Sequence, residues 1–260
     1  MAAVRRLLPV PDGPPAELDD PSLAEAYAVP AGSRWHLRVN FVASADGGVT
    51  VEDRSGGLSN PPDKRIFGLL RDLADVVLVG AGTARTEGYG AERYGPERRR
   101  RRADLGRAEL PVIAVISGSL DLDPTSRLFT GADPTARTVV VTCRAAPEAR
   151  REALAEVADV LLAGDVRVDL AAAVAGLADR GLPRVLCEGG PTLFGALLAD
   201  GLVDELCLTV SPLLTGPGTG RIVAGQLLDG APFRLGLTHL LEEDGVLLHR
   251  YALTRAMMGW

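Results

Sequence analysis

The sequence predicts an α/β protein whose sheet is mainly parallel, with antiparallel strands at one edge. Two observations carry that expectation. Short, continuously apolar runs such as VVLVG (76–80) alternate with amphipathic helical stretches, the pattern of parallel strands covered on both faces. After Leu202 the helices stop and strands follow one another, closing in a hairpin across Glu243-Asp244-Gly245.

Taken in order, residues 1–34 hold six prolines and read as an arm, with one short helix at Asp20-Pro21-Ser22. From 35 to 260 the chain reads as one α/β domain without a linker. WHLRVNFVAS (35–44) is a strand, followed by a polar, glycine-rich loop from Asp46 to Asn60. Asn60-Pro61 opens a helix with Ile66, Leu69, Leu70 and Leu73 on one face. Strands are expected at 76–80, 111–117, 138–143, 160–164 and 184–190, and helices over 147–158, 169–181 and 191–200. The last strands are VDELCLTVSP, FRLGLTHLL and VLLHRYAL. The stretch from Gly88 to Arg107, with five consecutive arginines at 98–102, reads as a solvated loop.

Composition narrows the function. With 260 residues, 47% hydrophobic and 24% charged, the chain can bury a sizeable core. A net charge of −6, from 28 basic and 34 acidic residues, argues against a nucleic-acid binder. Lys64 is the only lysine and sits at an exposed helix start, which argues against Schiff-base chemistry; the arginine bias reads as codon usage. Cys143, Cys187 and Cys207 stand apart inside apolar runs, and His36, His239 and His249 are isolated. Neither a disulfide framework nor a metal site is expected. No apolar stretch approaches the roughly 20 residues of a membrane helix, and prolines interrupt the start where a signal peptide needs an apolar run. The expectation is a reduced, soluble, cytoplasmic protein.

Two strand ends carry glycine-rich turns running into helices: VVLVGAGTARTEGYG and VLCEGGPTLFGALL. Ligands of α/β sheets collect at such carboxyl ends, where the free N–H groups and dipole of the next helix suit a phosphate. Gly189 and Gly190 permit close backbone approach, Pro191 loses no needed N–H, and Thr192 adds a hydroxyl. Simple tight turns explain each segment equally well. The dinucleotide fingerprint is absent, because Arg85 stands where its third glycine belongs. The loop ASADGGVTVEDRSGG adds a third segment, read either as part of a dinucleotide cleft or as a turn at Asp46-Gly47-Gly48.

Further residues carry a resemblance. Ala43-Ser44-Ala45-Asp46-Gly47, Leu69-Leu70-Arg71 leading to Gly82-Thr83, Ser126-Arg127-Leu128-Phe129, and Glu188-Gly189-Gly190-Pro191-Thr192-Leu193 with Leu202-Val203-Asp204-Glu205 occur in that order. Over about residues 35–255 the chain resembles the reductase domain of riboflavin biosynthesis, the C-terminal half of the bifunctional bacterial deaminase-reductase. The resemblance implies a dihydrofolate-reductase-like, three-layer α/β/α fold and NADPH as cofactor. The implied reaction is reduction of 5-amino-6-(5-phosphoribosylamino)uracil at C1′ of its ribosylamino group. It implies catalytic roles for Glu188 and Asp46, and substrate contacts from Asn40, Ser55, Arg71 and Glu188. Cofactor contacts are implied for Ala43, Thr83, Glu87, Ser117 or Ser119, and the stretch from Gly189 through Pro191, Thr192 and Leu193 to Ala196.

Departures and ordinary readings stand beside these. The H-x-E and PCxxC elements of the deaminase are missing, which fits a stand-alone reductase, as does Asn40 where many bifunctional members have lysine. The segment after Glu87, GYGAERYGPERRR, diverges and leaves Arg93 and Arg98 as candidates for the substrate-phosphate arginine. Without the resemblance, Glu188 would be a solvated cap, Arg71 an exposed ion pair and Asp46 a turn cap. One alternative is a reductase of another heterocycle such as dihydrofolate, with Asp63 as its helix carboxylate, though not clearly inward. The other is a non-catalytic NADPH-binding protein. Arg85, Arg127 and Arg144 near the cleft loops favour NADPH over NADH. A homodimer through the C-terminal strands is expected, since a bare apolar edge invites pairing.

Overall fold

The computed structural model describes residues 4–10, 13, 17–30, 32, 34–90, 94–225 and 232–253. Apolar runs of the two kinds seen in the sequence become two different pairings, one in each of two compact units.

The first unit comprises Met1–Pro30, Leu37–Leu70 and Pro191–Trp260. It holds β1 (Arg5–Leu8), α1 (Asp20–Ala26) and most of β2 (His36–Ser44) and of α2 (Pro61–Leu73). It also holds the later elements α8 (Pro191–Ala199), β8 (Glu205–Ser211), β9 (Leu235–Glu243) and β10 (Val246–Leu253). Their order is β1-β9-β10-β8-β2; only β8 and β2 run parallel. Asp244 and Gly245 turn the hairpin at φ 52° and 80°, the positive pair that matches strand twist in a two-residue connection. The N-terminal stretch is more than an arm with a helix. β1 pairs antiparallel with β9, Arg5 opposite Glu242 and Leu8 opposite Leu240.

Beneath the antiparallel strands, Glu205 receives two buried arginines. Arg250 Nη2 lies 2.7 Å from Oε2, and Arg38 Nε donates to Oε1. Their other nitrogens reach the end of α1: Arg38 Nη2 donates to Tyr27 O at 2.7 Å, and Arg250 donates to Ala26 O and Ala28 O. Helix carbonyls without a following turn are thereby satisfied inside the protein.

The second unit comprises Ala31–His36 and Arg71–Gly190. Its strands are β3 (Val76–Gly80), β4 (Val112–Ile116), β5 (Val139–Thr142), β6 (Asp159–Leu162) and β7 (Arg184–Cys187). All run parallel in the order β7-β3-β4-β5-β6. The helices are α3 (Ala81–Thr86), α4 (Pro96–Asp104), α5 (Arg127–Thr130), α6 (Glu148–Ala155) and α7 (Leu170–Ala178). Val79, Ile113, Val115, Val140, Leu128, Phe129 and Leu154 form one buried cluster of this unit.

The arginine run is not a solvated loop. Pro96 sits in the first turn of α4 with Glu97, and Arg101 and Arg102 lie in the last, each charge suiting its end of the helix. Arg98 Nε and Arg101 Nη2 approach the carboxylate of Asp72 at 2.6 and 3.1 Å. Arg102 is fully buried. Its Nη1 donates to the carbonyls of Arg71, Asp72 and Ala74 at 2.6, 3.0 and 2.9 Å, and its Nε to Ala108 O at 2.8 Å. Replacing it strands several buried acceptors, each costing about 1–3 kcal/mol. Arg102→Met is therefore expected to lower the unfolding free energy by roughly 3 kcal/mol. A urea midpoint unchanged from wild type would refute the cap.

Candidate functional site

In the second unit the carboxyl ends of β7, β3 and β4 lie side by side, the place where α/β sheets bind ligands. β7 runs into Glu188-Gly189-Gly190, β3 into α3, and β4 into Ser117. Glu188 N donates to Leu78 O at 3.0 Å, and Gly80 N to Gly189 O at 2.9 Å, so the glycine turn stays tied to β3 past the last strand residue. Gly189 adopts φ 97°, a conformation open to glycine.

Glu188 is neither a solvated cap nor part of an exposed pair. Its side chain is 2% exposed and that of Arg71, the first α2 residue of this unit, 12%. Arg71 donates Nε to Oε1 and Nη2 to Oε2, both at 2.6 Å, a two-pronged carboxylate–guanidinium contact. Tyr89, which the sequence did not single out, donates its hydroxyl to Oε2 at 2.6 Å. Burial opposes the charge on Arg71, but the Glu188 carboxylate outweighs it and raises the pKa above the ordinary value. Burial, then the same carboxylate, push the Tyr89 phenol well above its usual range. Cys187, beside them in sequence, is pushed up to about 12 by burial.

Thr83 is half-buried in α3, and its Oγ1 lies 2.4 Å from where a Cβ on Gly190 would stand. Glu87 ends α3. Ser117 is buried and accepts Leu120 N at 3.0 Å, whereas Ser119 is exposed and accepts Asp121 N at 3.4 Å. Arg98 sits on α4, 3.7 Å over the Tyr94 ring and paired with Asp72; Arg93 lies outside the described residues.

The first unit holds the other candidates. Asn40 and Ala43 are buried on β2, opposite Cys207 and Val210 of β8. Asp46 follows β2 and accepts from Ser44 Oγ at 2.5 Å, Thr215 N at 3.2 Å and Gly216 N at 2.8 Å. That hydroxyl and those amides hold its carboxyl well below the usual range. Ser55 opens a short 3-10 turn, and α8 begins with Pro191, Thr192 exposed and Leu193 buried. Asp63 does point inward: it is 5% exposed and accepts Ser59 Oγ at 2.6 Å. Among the described residues no group of three or more His, Cys, Asp or Glu forms a metal site, and no helix is long and apolar enough to cross a membrane.

The mixed α/β fold with its mostly parallel sheet carries a buried carboxylate–guanidinium pair beside a glycine turn at its strand ends, the setting in which α/β proteins bind ligands. Its family follows from comparison with known proteins. Residues 35–245 match the family model of the RibD C-terminal domain, and the chain belongs to that family, among the oxidoreductases of riboflavin biosynthesis. It is 32% identical over 184 residues to the 2,5-diamino-6-ribosylamino-4(3H)-pyrimidinone 5′-phosphate reductase of Archaeoglobus fulgidus, covering 70% of this chain and 83% of that one. The enzyme of the same name from Methanothermobacter thermautotrophicus is 29% identical over 216 residues, 81% of this chain and 95% of its own. Among solved structures, a pyrimidine reductase-like protein from Corynebacterium diphtheriae superposes with a TM-score of 0.77 at 30% identity, over 85% of this chain and 93% of that one.

The contact between Gly190 and Thr83 is testable without any ligand. Since Thr83 Oγ1 fills the space beside Gly190, Gly190→Ala forces the threonine to rotate or the turn to shift, at a cost of about 1–3 kcal/mol. Adding Thr83→Ala should restore most of that loss in urea unfolding. Equal destabilisation of the single and double variants would show that the strain lies elsewhere.

Proposed function

We propose that this chain is an NADPH-dependent reductase of a 6-(5-phosphoribosylamino)pyrimidine: the uracil implied by the sequence or its 2,5-diamino counterpart, the ring named for the archaeal relatives. The observation that carries the reading is the buried Arg71–Glu188 pair at the strand ends that also bear the Gly189-Gly190 turn and Thr83. The pair forms a polar wall for the pyrimidine, Arg71 nearer the surface and Glu188 behind it. Thr83, Glu87, Ser117 or Ser119, and the stretch from Gly189 through Leu193 would hold the cofactor, with Ala43 on β2 assigned to it as well. Bound NADPH supplies a hydride. The opened ribosylamine is an imine at C1′; C1′ gains the hydride, the nitrogen gains a proton, and a secondary amine results. Asn40 and Ser55 are assigned to the substrate, and Asp46, bonded to Thr215 and Gly216, to holding the loop after β2.

The proposed partner is a second copy of the chain. On one face of β8, β10 and β9, Leu208, His249 and Leu240 stand in line, as do Tyr251 with Leu237 and Leu253 with Leu235. Leu235 and Leu237 are 43% and 42% exposed, while Leu241 and Leu248 on the opposite face are buried. Among the described residues, β1 pairs with Leu240–Glu242 of β9. A half-covered apolar sheet of this kind suits a two-fold interface. Light scattering at micromolar concentration should give a dimer mass, and a monomer mass would remove the partner.

NADPH oxidation by the purified protein should require either pyrimidine and be absent with dihydrofolate. NADPH should bind at least about tenfold more tightly than NADH, as extra charge-assisted bonds to a 2′-phosphate imply. Glu188→Gln should lower kcat/KM for the pyrimidine by roughly tenfold or more, because an amide cannot serve both arginine nitrogens and the phenol as acceptor. Its NADPH dissociation constant should stay within about twofold, the cofactor contacts being elsewhere. Turnover of dihydrofolate alone, or collapse of both quantities together, would overturn the reading.

A further inference from the structure

The segment following Glu87 diverges from the resemblance seen in the sequence, and Tyr89 lies in it. Its placement is built rather than incidental. Just past the cap of α3, Gly88 adopts φ 68°, Gly88 N donating to Arg85 O at 3.3 Å and Tyr89 N to Ala84 O at 2.9 Å. This paired C-terminal closure reverses the chain and fixes the residue after the glycine. On the other side, a Cβ on Gly90 would meet Arg127 Cβ at 3.1 Å and Arg127 O at 3.3 Å, so the next residue is pressed against α5. Between these anchors the Tyr89 ring packs against the buried cluster that includes Val79, Leu128 and Phe129.

From there Tyr89 touches both members of the ion pair. Its hydroxyl donates to Glu188 Oε2 at 2.6 Å, and the Arg71 guanidinium carbon lies 5.7 Å from its ring centroid, within cation–π range. Glu188 Oε2 thus receives two donors and Oε1 one. A carboxylate gripped only by one guanidinium can still slide and twist in that plane. A third donor from a different element removes this freedom.

We propose that Tyr89 is a positioning residue for pyrimidine recognition, setting the orientation of the Arg71–Glu188 pair through its hydroxyl. The inference rests on the reading of that pair as the substrate wall. Tyr89 itself exchanges no proton and carries no reacting atom.

Tyr89→Phe keeps the ring and its packing and removes only the hydroxyl. It should raise KM for the phosphoribosylaminopyrimidine roughly tenfold, the usual size of one lost charge-assisted bond. The fall in kcat should be smaller, with the NADPH dissociation constant and thermal midpoint close to wild type. Because Tyr89 acts through Glu188, Tyr89→Phe added to Glu188→Gln should cost little more than Glu188→Gln alone. A KM for Tyr89→Phe within twofold of wild type, or full multiplication of the two effects, overturns the proposal and leaves the proposed activity standing. A wild-type protein that reduces neither pyrimidine overturns both.

Discussion

The last turn of α2 carries carbonyl groups with no following helical N–H to receive, and the geometry of the site depends on how they are met. Arg102 takes those of Arg71, Asp72 and Ala74, and Arg107 Nε lies 3.3 Å from that of Leu73. Burial lowers the pKa of Arg102, a sign of what it costs to place that charge there. In return the backbone of Arg71 cannot fray, and its side chain leaves a fixed point toward Glu188. Asp72, one residue on, lies against Arg98 and Arg101 and supplies the negative charge that α4 needs beside it.

The same device recurs at the end of α1, where Arg38 and Arg250 serve the carbonyls of Ala26, Tyr27 and Ala28 and share Glu205 as counter-charge. Only a planar group with several donors in fixed directions can take several backbone oxygens and a carboxylate together; an ammonium offers a single point of charge. The near absence of lysine, read from composition as codon usage, therefore has a structural use at three buried positions.

How far the sequence could be read follows from the range of each interaction. VVLVG, RVLC and VLLHRYAL became strands because burial on one or both faces writes itself into consecutive residues. The Asp244-Gly245 turn was legible because its dihedral angles demand those residue types. β1 was not, since its four residues are a strand only through pairing with β9, more than 230 positions away. The arginines at 98–102 look solvated until Asp72 and the end of α2 lie beside them. Glu188 and Arg71 were named through the resemblance, but their contact, 117 positions apart, left no local mark. Tyr89 left one that went unused: a glycine just past AGTART is a helix stop, and the residue after such a glycine is held in place.

The electrostatics bear on the kind of chemistry such a site can do. Arg71 is raised by Glu188 against the effect of burial, Tyr89 is raised by burial and by Glu188, and Cys187 is pushed to about 12 by burial. Asp46, in the other unit, is lowered by the Ser44 hydroxyl and by the amides of Thr215 and Gly216. Each of these four pKa values is driven away from neutral pH, whereas a general acid or base works best with a pKa near the operating pH. Arg71 and Asp46 are thereby kept charged, and Tyr89 and Cys187 kept protonated and neutral, rather than poised to pass protons. That division of labour belongs to reactions in which a cofactor carries the bond-making atom and the protein fixes where its partner lies. In the proposed reduction a proton is needed only at the nitrogen next to the reduced carbon, and none of these four groups has a pKa suited to supplying it.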